Sequence, residues 1–118
     1  MHTSNKPQPL LELIIKATCI YYDITRDQLF SRSRQQTLVD KRHICFYIIK
    51  RETGLSDYLM AQALGFSRSS IQNAIEKIDG EKDIYRHVQD EIKEVLSIVR
   101  KLRIAQQEWV LHSSSLAS

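Results

Sequence analysis

The sequence predicts an all-α fold: a compact bundle of about five to six helices that contains a helix-turn-helix and ends on a long C-terminal helix. Three observations carry this. Apolar residues recur at spacings of three and four along most of the chain, which places them on one face of a helix. Gly54, Gly65 and Gly80, the only three glycines, each follow such a run, where a left-handed residue commonly ends a helix. The one continuous apolar stretch, HICFYIIK at 43–50, could be a buried strand, but no second stretch offers it a partner. It reads instead as a central helix buried nearly all round.

Taken in order, residues 1–8 are polar and form an expected tail, and 9–112 form the single domain. Pro9 suits a first helical turn, and Leu10, Leu13, Ile14, Ala17, Ile20 and Tyr21 then share one face of the opening helix. Thr25 can cap a short helix that runs through Phe30, with Asp27 well placed against its positive end. Leu29 and Phe30 would fold back on the first helix. The central helix should span about Thr37 to Glu52, and a helix-turn-helix should occupy 57–78. From Glu81, Ile84, Val88, Ile92, Val95, Val99 and Leu102 mark a last amphipathic helix, which can continue through Trp109 because no breaker intervenes. The serine-rich end, 113–118, reads as a second tail.

Composition removes several function classes. With 42% hydrophobic and 26% charged residues, the chain is neither disordered nor membrane-embedded, and no apolar run approaches the ~18 residues of a bilayer span. No apolar stretch follows the polar start, so a secretory signal is not expected and a cytoplasmic location is. Cys19 and Cys45 sit inside apolar runs without CxxC spacing, and His2, His43, His87 and His112 are scattered. No metal and no cofactor are expected. Neither GxSxG, HExxH nor a paired-acid pocket can be named, so the chain is not expected to be an enzyme.

Charge is informative by its distribution. The net charge is only +3, yet 31–51 holds six basic residues, Arg32, Arg34, Lys41, Arg42, Lys50 and Arg51, against one acid, Asp40. A solvated face would more often alternate signs; a basic block beside a helix-turn-helix suits a phosphate backbone.

Within 57–78, Ala61 and Gly65 lie four apart between the apolar residues Met60, Leu64, Phe66, Ile71 and Ala74. The small Ala61 allows two helices to cross closely, Gly65 makes the turn, and Ile71 and Ala74 bury the second helix. Ser67 is its natural N-cap, which leaves Arg68, Ser69, Gln72 and Asn73 facing outward and Lys77 near its end. Arginine can pair with guanine in the major groove, glutamine and asparagine with adenine, and serine with bases or phosphate. The bland alternative is that Arg68 and Gln72 only solvate an exposed helix. The basic window favours sequence-preferring binding of double-stranded DNA through a recognition helix at 67–78. A competing reading is a protein-interaction module on the same scaffold, with the C-terminal helix and Trp109 as the place for a homodimer or protein partner.

The sequence resembles the C-terminal DNA-binding domain of the bacterial replication initiator DnaA over roughly Leu11 to Leu102. IYYDITRDQLFSRSR is similar to that family's opening helix and basic loop, DKRHICFYIIKRETG to its central helix, GFSRSSIQNAIEKI to its signature loop and recognition helix, and EIKEVLSIVRKL to its closing helix. The resemblance implies a Trp-repressor-like fold. It implies that Arg42 grips phosphate or base edges, with His43 where the family usually has glutamine. It also implies that Arg68, Ser69 and Ser70 fall at the box-reading positions, and that Arg32 or Arg34 is the basic-loop arginine. Phe66 and Ser67 depart from the family's arginine and aspartate and the loop is one residue shorter, so altered or relaxed specificity is expected. No GxxxxGKS/T motif is present, so ATP-driven origin opening is not expected of what reads as a stand-alone binding module.

Overall fold

The structure, a computed structural model, describes residues 7–117, with side chains from Pro9 to Trp109. Six helices follow one another: α1 (Pro7–Tyr22), α2 (Arg26–Leu29), α3 (Gln36–Thr53), α4 (Asp57–Leu64), α5 (Arg68–Glu81) and α6 (Arg86–Ala117). No strand occurs among the described residues.

Local chemistry sets the ends of these helices. Thr25 and Gln28 form a reciprocal capping box at α2: the Thr25 hydroxyl accepts from the Gln28 N–H, and the Gln28 side chain accepts from the Thr25 N–H. Ser56 and Ser67 cap α4 and α5 one way, their hydroxyls accepting from Leu59 N and Ser70 N. α3 and α4 both stop on glycines in the left-handed region, Gly54 at φ 71° and Gly65 at φ 74°.

α3 lies at the centre, packed against α1, α2, α5 and α6. Ile44, Cys45, Phe46, Tyr47, Ile48 and Ile49 are all buried, so the continuous apolar run is a helix with neighbours on every side. Each isoleucine or phenylalanine taken out of water there contributes about 1.5–3 kcal/mol. Met60 of α4, Ile71, Ala74 and Ile78 of α5, and Val88, Ile92, Val95 and Val99 of α6 complete the core. α1 runs along α6 in the opposite direction: Tyr22 near its end donates to Glu91 near the start of α6, while Pro9 and Gln106 line one shared cleft. Burial and the Glu91 carboxylate push the Tyr22 phenol above its ordinary range, so it remains a donor.

Four expectations meet differences. The buried stripe of α1 runs through Leu11, Ile14, Ile15, Ala17 and Thr18, which keeps the expected Ile14 and Ala17, whereas Ile20 is 51% exposed and Tyr21 is exposed too. Apolar residues surround the first turns of α1, so periodicity alone does not choose between adjacent stripes. The packing against both α3 and α6 does, and the buried Thr18 hydroxyl is satisfied by donating to the Ile14 carbonyl at 2.8 Å. Gly80 lies inside the last turn of α5, which ends at Glu81 with Lys82 as a right-handed cap. Ile84 stands 72% exposed in the link before α6. Finally, α6 extends to Ala117, beyond the expected boundary at 112, because its last turns hold neither glycine nor proline. Residues 1–6 of the expected N-terminal tail, and Ser118 of the C-terminal one, lie outside the described residues.

Candidate nucleic-acid interface

The turn between α4 and α5 is built on one carbonyl: Ala61 O accepts from Gly65 N at 2.9 Å and from Phe66 N at 3.2 Å. A positive φ at Gly65 then redirects the chain, and Ser67 opens α5 with extended backbone. The Ser67 hydroxyl accepts from Ser70 N at 3.1 Å and donates to the Ser70 hydroxyl at 2.8 Å. The amides of Arg68 and Ser69 are left as the open, positive end of the helix.

Ile71, Ala74 and Ile78 face the core, which turns Arg68, Ser69, Ser70, Gln72, Asn73 and Lys77 to solvent. Besides the serines paired with Ser67, two of these have partners on other helices. Lys77 Nζ meets Asp40 Oδ1 of α3 at 3.5 Å. The Gln72 amide, together with Lys50, holds the Asp57 carboxyl below its ordinary range.

The basic window divides more sharply. Arg42 is only 7% exposed, and its Nε and Nη2 donate to the carbonyls of Leu29 at 2.8 Å and Ser31 at 2.6 Å. It braces the loop between α2 and α3 from within, which is not the exposed geometry of a phosphate grip. Arg32 donates from Nη2 to the Gly65 carbonyl and lies over the Phe66 ring. Lys41 Nζ sits 5.4 Å from the centre of the Tyr22 ring. His43 is half-buried, with Nδ1 enclosed and unpartnered among the described residues. Burial, with Lys77 nearby, lowers its pKa below the ordinary value and favours the neutral imidazole. Arg34 alone of the loop arginines is exposed with no hydrogen bond or ion pair to any described residue.

Sequence reasoning missed what holds the loop. The chain's three phenylalanines, Phe30, Phe46 and Phe66, meet in one cluster, with ring centres 5.3–6.3 Å apart. Their only signal in the sequence is scarcity, since they are thirty-six positions apart at the extremes. Among the described residues, no group of three or more His, Cys, Asp or Glu side chains could hold a metal ion, and no helix is long and apolar enough to cross a membrane.

The family described as the bacterial DnaA protein helix-turn-helix matches residues 11–78, from the second turn of α1 to the buried Ile78 of α5. The chain belongs to this DnaA family. Membership supports DNA binding in general, through the helix-turn-helix just described. Among curated relatives, the chromosomal replication initiator protein DnaA of Cutibacterium acnes is 31% identical over 91 residues, covering 76% of this chain and 18% of that protein. That of Bacteroides thetaiotaomicron is 24% identical over 89 residues, covering 75% of this chain and 19% of that protein. The chain thus spans about a fifth of the length of the DnaA relatives it matches.

Proposed function

We propose that this chain binds double-stranded DNA with a preference for particular sequences, with α5 in the major groove and the basic loop between α2 and α3 against the adjoining backbone. The observation that carries it is the outward face of α5. Beyond a Gly65 turn and a Ser67 cap, that face presents Arg68, Ser69, Gln72 and Asn73 and buries its apolar residues. Ser67, Ser70 and the open amides of α5 suit a phosphate, and Arg34, Lys41 and Lys77 supply charge at the flanks. Arg32, Arg42 and His43 belong to this reading as residues that shape the surface from behind. Residues 9–112 act as the binding unit, without nucleotide hydrolysis, in the cytoplasm.

Fluorescence anisotropy with an initiator-type box and scrambled duplexes, titrated across salt, tests this. Affinity should fall by about 0.9 logarithmic units per phosphate contact for each tenfold rise in salt. Arg68→Ala should cost about 1–3 kcal/mol on the preferred duplex and narrow the gap to scrambled DNA. Equal loss on both duplexes would remove Arg68 from base readout, and no binding at low salt would end the DNA reading.

One observation favours a second surface. Trp109 is 70% exposed on α6 and does not fold onto the bundle, so α6 offers an anchor for a second copy or a protein partner. Equilibrium sedimentation showing only monomer would argue against the homodimer.

A further inference from the structure

We infer that Phe66 is a positioning residue that pins the basic loop to the turn of the helix-turn-helix, and that this pin withdraws Arg32 and Arg42 from DNA and leaves Arg34 as the loop's contact. The part concerning Arg34 rests on the DNA-binding reading; the pin does not.

The Phe66 ring carries two cations, with the guanidinium carbons of Arg32 and Arg42 at 4.3 Å and 5.4 Å from its centre. Two like charges at one ring repel each other, and burial first, then the Arg32 charge, lowers the Arg42 pKa. What holds them is the negative face of the ring and the carbonyls of Gly65, Leu29 and Ser31, each of which accepts from one of the two guanidinium groups. The ring is in turn wedged between Phe30 and Phe46, at 6.2 Å and 5.3 Å. The chain of contacts therefore runs from the α3 core through Phe66 to both ends of the loop start.

This has a consequence for which arginine is free. To reach a phosphate, Arg32 would abandon both the ring and the Gly65 carbonyl, and Arg42 would abandon two carbonyls from a nearly closed site. Arg34 gives up nothing among the described residues. Its backbone is also held: Ser33 N donates to the Ser31 hydroxyl at 3.4 Å and Gln35 N to the Ser33 hydroxyl at 3.1 Å. Arg34 is thus presented from a loop tied to the same turn that sets α5, so its distance from Arg68 is set before DNA arrives.

The pin is tested on the free protein by NMR and amide exchange. The Arg32 side-chain protons should show the upfield shifts of an aromatic ring face, lost in Phe66→Leu and kept in Phe66→Tyr. Amides 31–35 should exchange about tenfold faster in Phe66→Leu at unchanged helicity. Should Phe66→Leu fail to fold, Arg32→Ala gives the amide-exchange readout with the core intact. Unshifted Arg32 protons in the native protein, or loop exchange that ignores these substitutions, overturns the pin.

The DNA consequence is read by salt titration of anisotropy. Arg34→Ala should lower the salt slope by about one, and Arg32→Ala, which loosens the loop without removing a DNA contact, should lower it by less. In the Phe66→Leu background, Arg34→Ala should have less effect than in the native protein, and Phe66→Tyr should restore its full effect. A slope lowered by Arg32→Ala and not by Arg34→Ala overturns the assignment. Native protein that binds no duplex removes Arg34's role together with the DNA reading, while the exchange result still decides the pin.

Discussion

Replacing Arg42 by alanine distinguishes a buried brace from a phosphate contact. In the structure the guanidinium makes two charge-assisted hydrogen bonds, to the carbonyls of Leu29 and Ser31, from a site that is 7% exposed. A bond of this kind contributes about 1.5–3 kcal/mol. Its own desolvation, visible as a lowered pKa, offsets part of that, so the lower figure applies and the pair is worth about 3 kcal/mol in total. At roughly 4 °C per kcal/mol for a domain of this size, the melting temperature should fall by about 12 °C in a calorimetric or circular-dichroism melt. Arg42→Lys keeps the charge but lacks the fork that reaches two carbonyls, and should recover only part of the loss. A melting shift below about 3 °C, joined to an equal loss of affinity for every duplex, would refute the brace and restore the phosphate grip.

Three further outcomes are expected. Gly65→Val should destabilise the domain by about 1–2 kcal/mol in urea titration, more than Gly65→Asn, because no atom lies within 4 Å of the would-be Cβ and the penalty is the φ of 74° alone; native-like stability would contradict that turn. His43 titrates below its ordinary 6.5 in the folded protein, so the unfolded chain binds the extra proton first: stability should be full above 6.5 and decline as pH falls through the folded value. His43→Gln should flatten that decline, and an unchanged profile would assign it to other groups. The Cys45 thiol is buried and pushed up to about 12, so an aromatic disulfide reagent at neutral pH should spare it until the protein unfolds; rapid labelling of both cysteines in the native state would contradict its burial.

What the sequence shows and what it hides follow from how far apart the interacting atoms lie along the chain. Thr25, Ser67 and Gly65 were readable because a cap or a left-handed turn acts on backbone within a few residues. The outward set Arg68, Ser69, Gln72 and Asn73 was readable because the core face of one helix defines its opposite face. Arg42 was not, since its partners are backbone carbonyls eleven and thirteen residues away, and a carbonyl leaves no mark in the sequence. Arg32 was hidden for the same reason, its acceptor lying thirty-three residues further on. The exposed Ile20 shows the limit of periodicity where a helix has apolar residues on more than one side.

The joining of loop and turn through Phe66 also bears on the thermodynamics of recognition. A reader whose segments must order on the DNA shows a large heat-capacity change from coupled folding and gives up affinity to that ordering. Here the capped start of α5 and the braced loop are already parts of one body, so association through them, as proposed, would resemble the docking of a rigid key, with a heat capacity that follows contact area alone. Such a key cannot respace its teeth to suit a poor site. On the DNA reading proposed above, it would select duplexes whose grooves already lie at the matching separation.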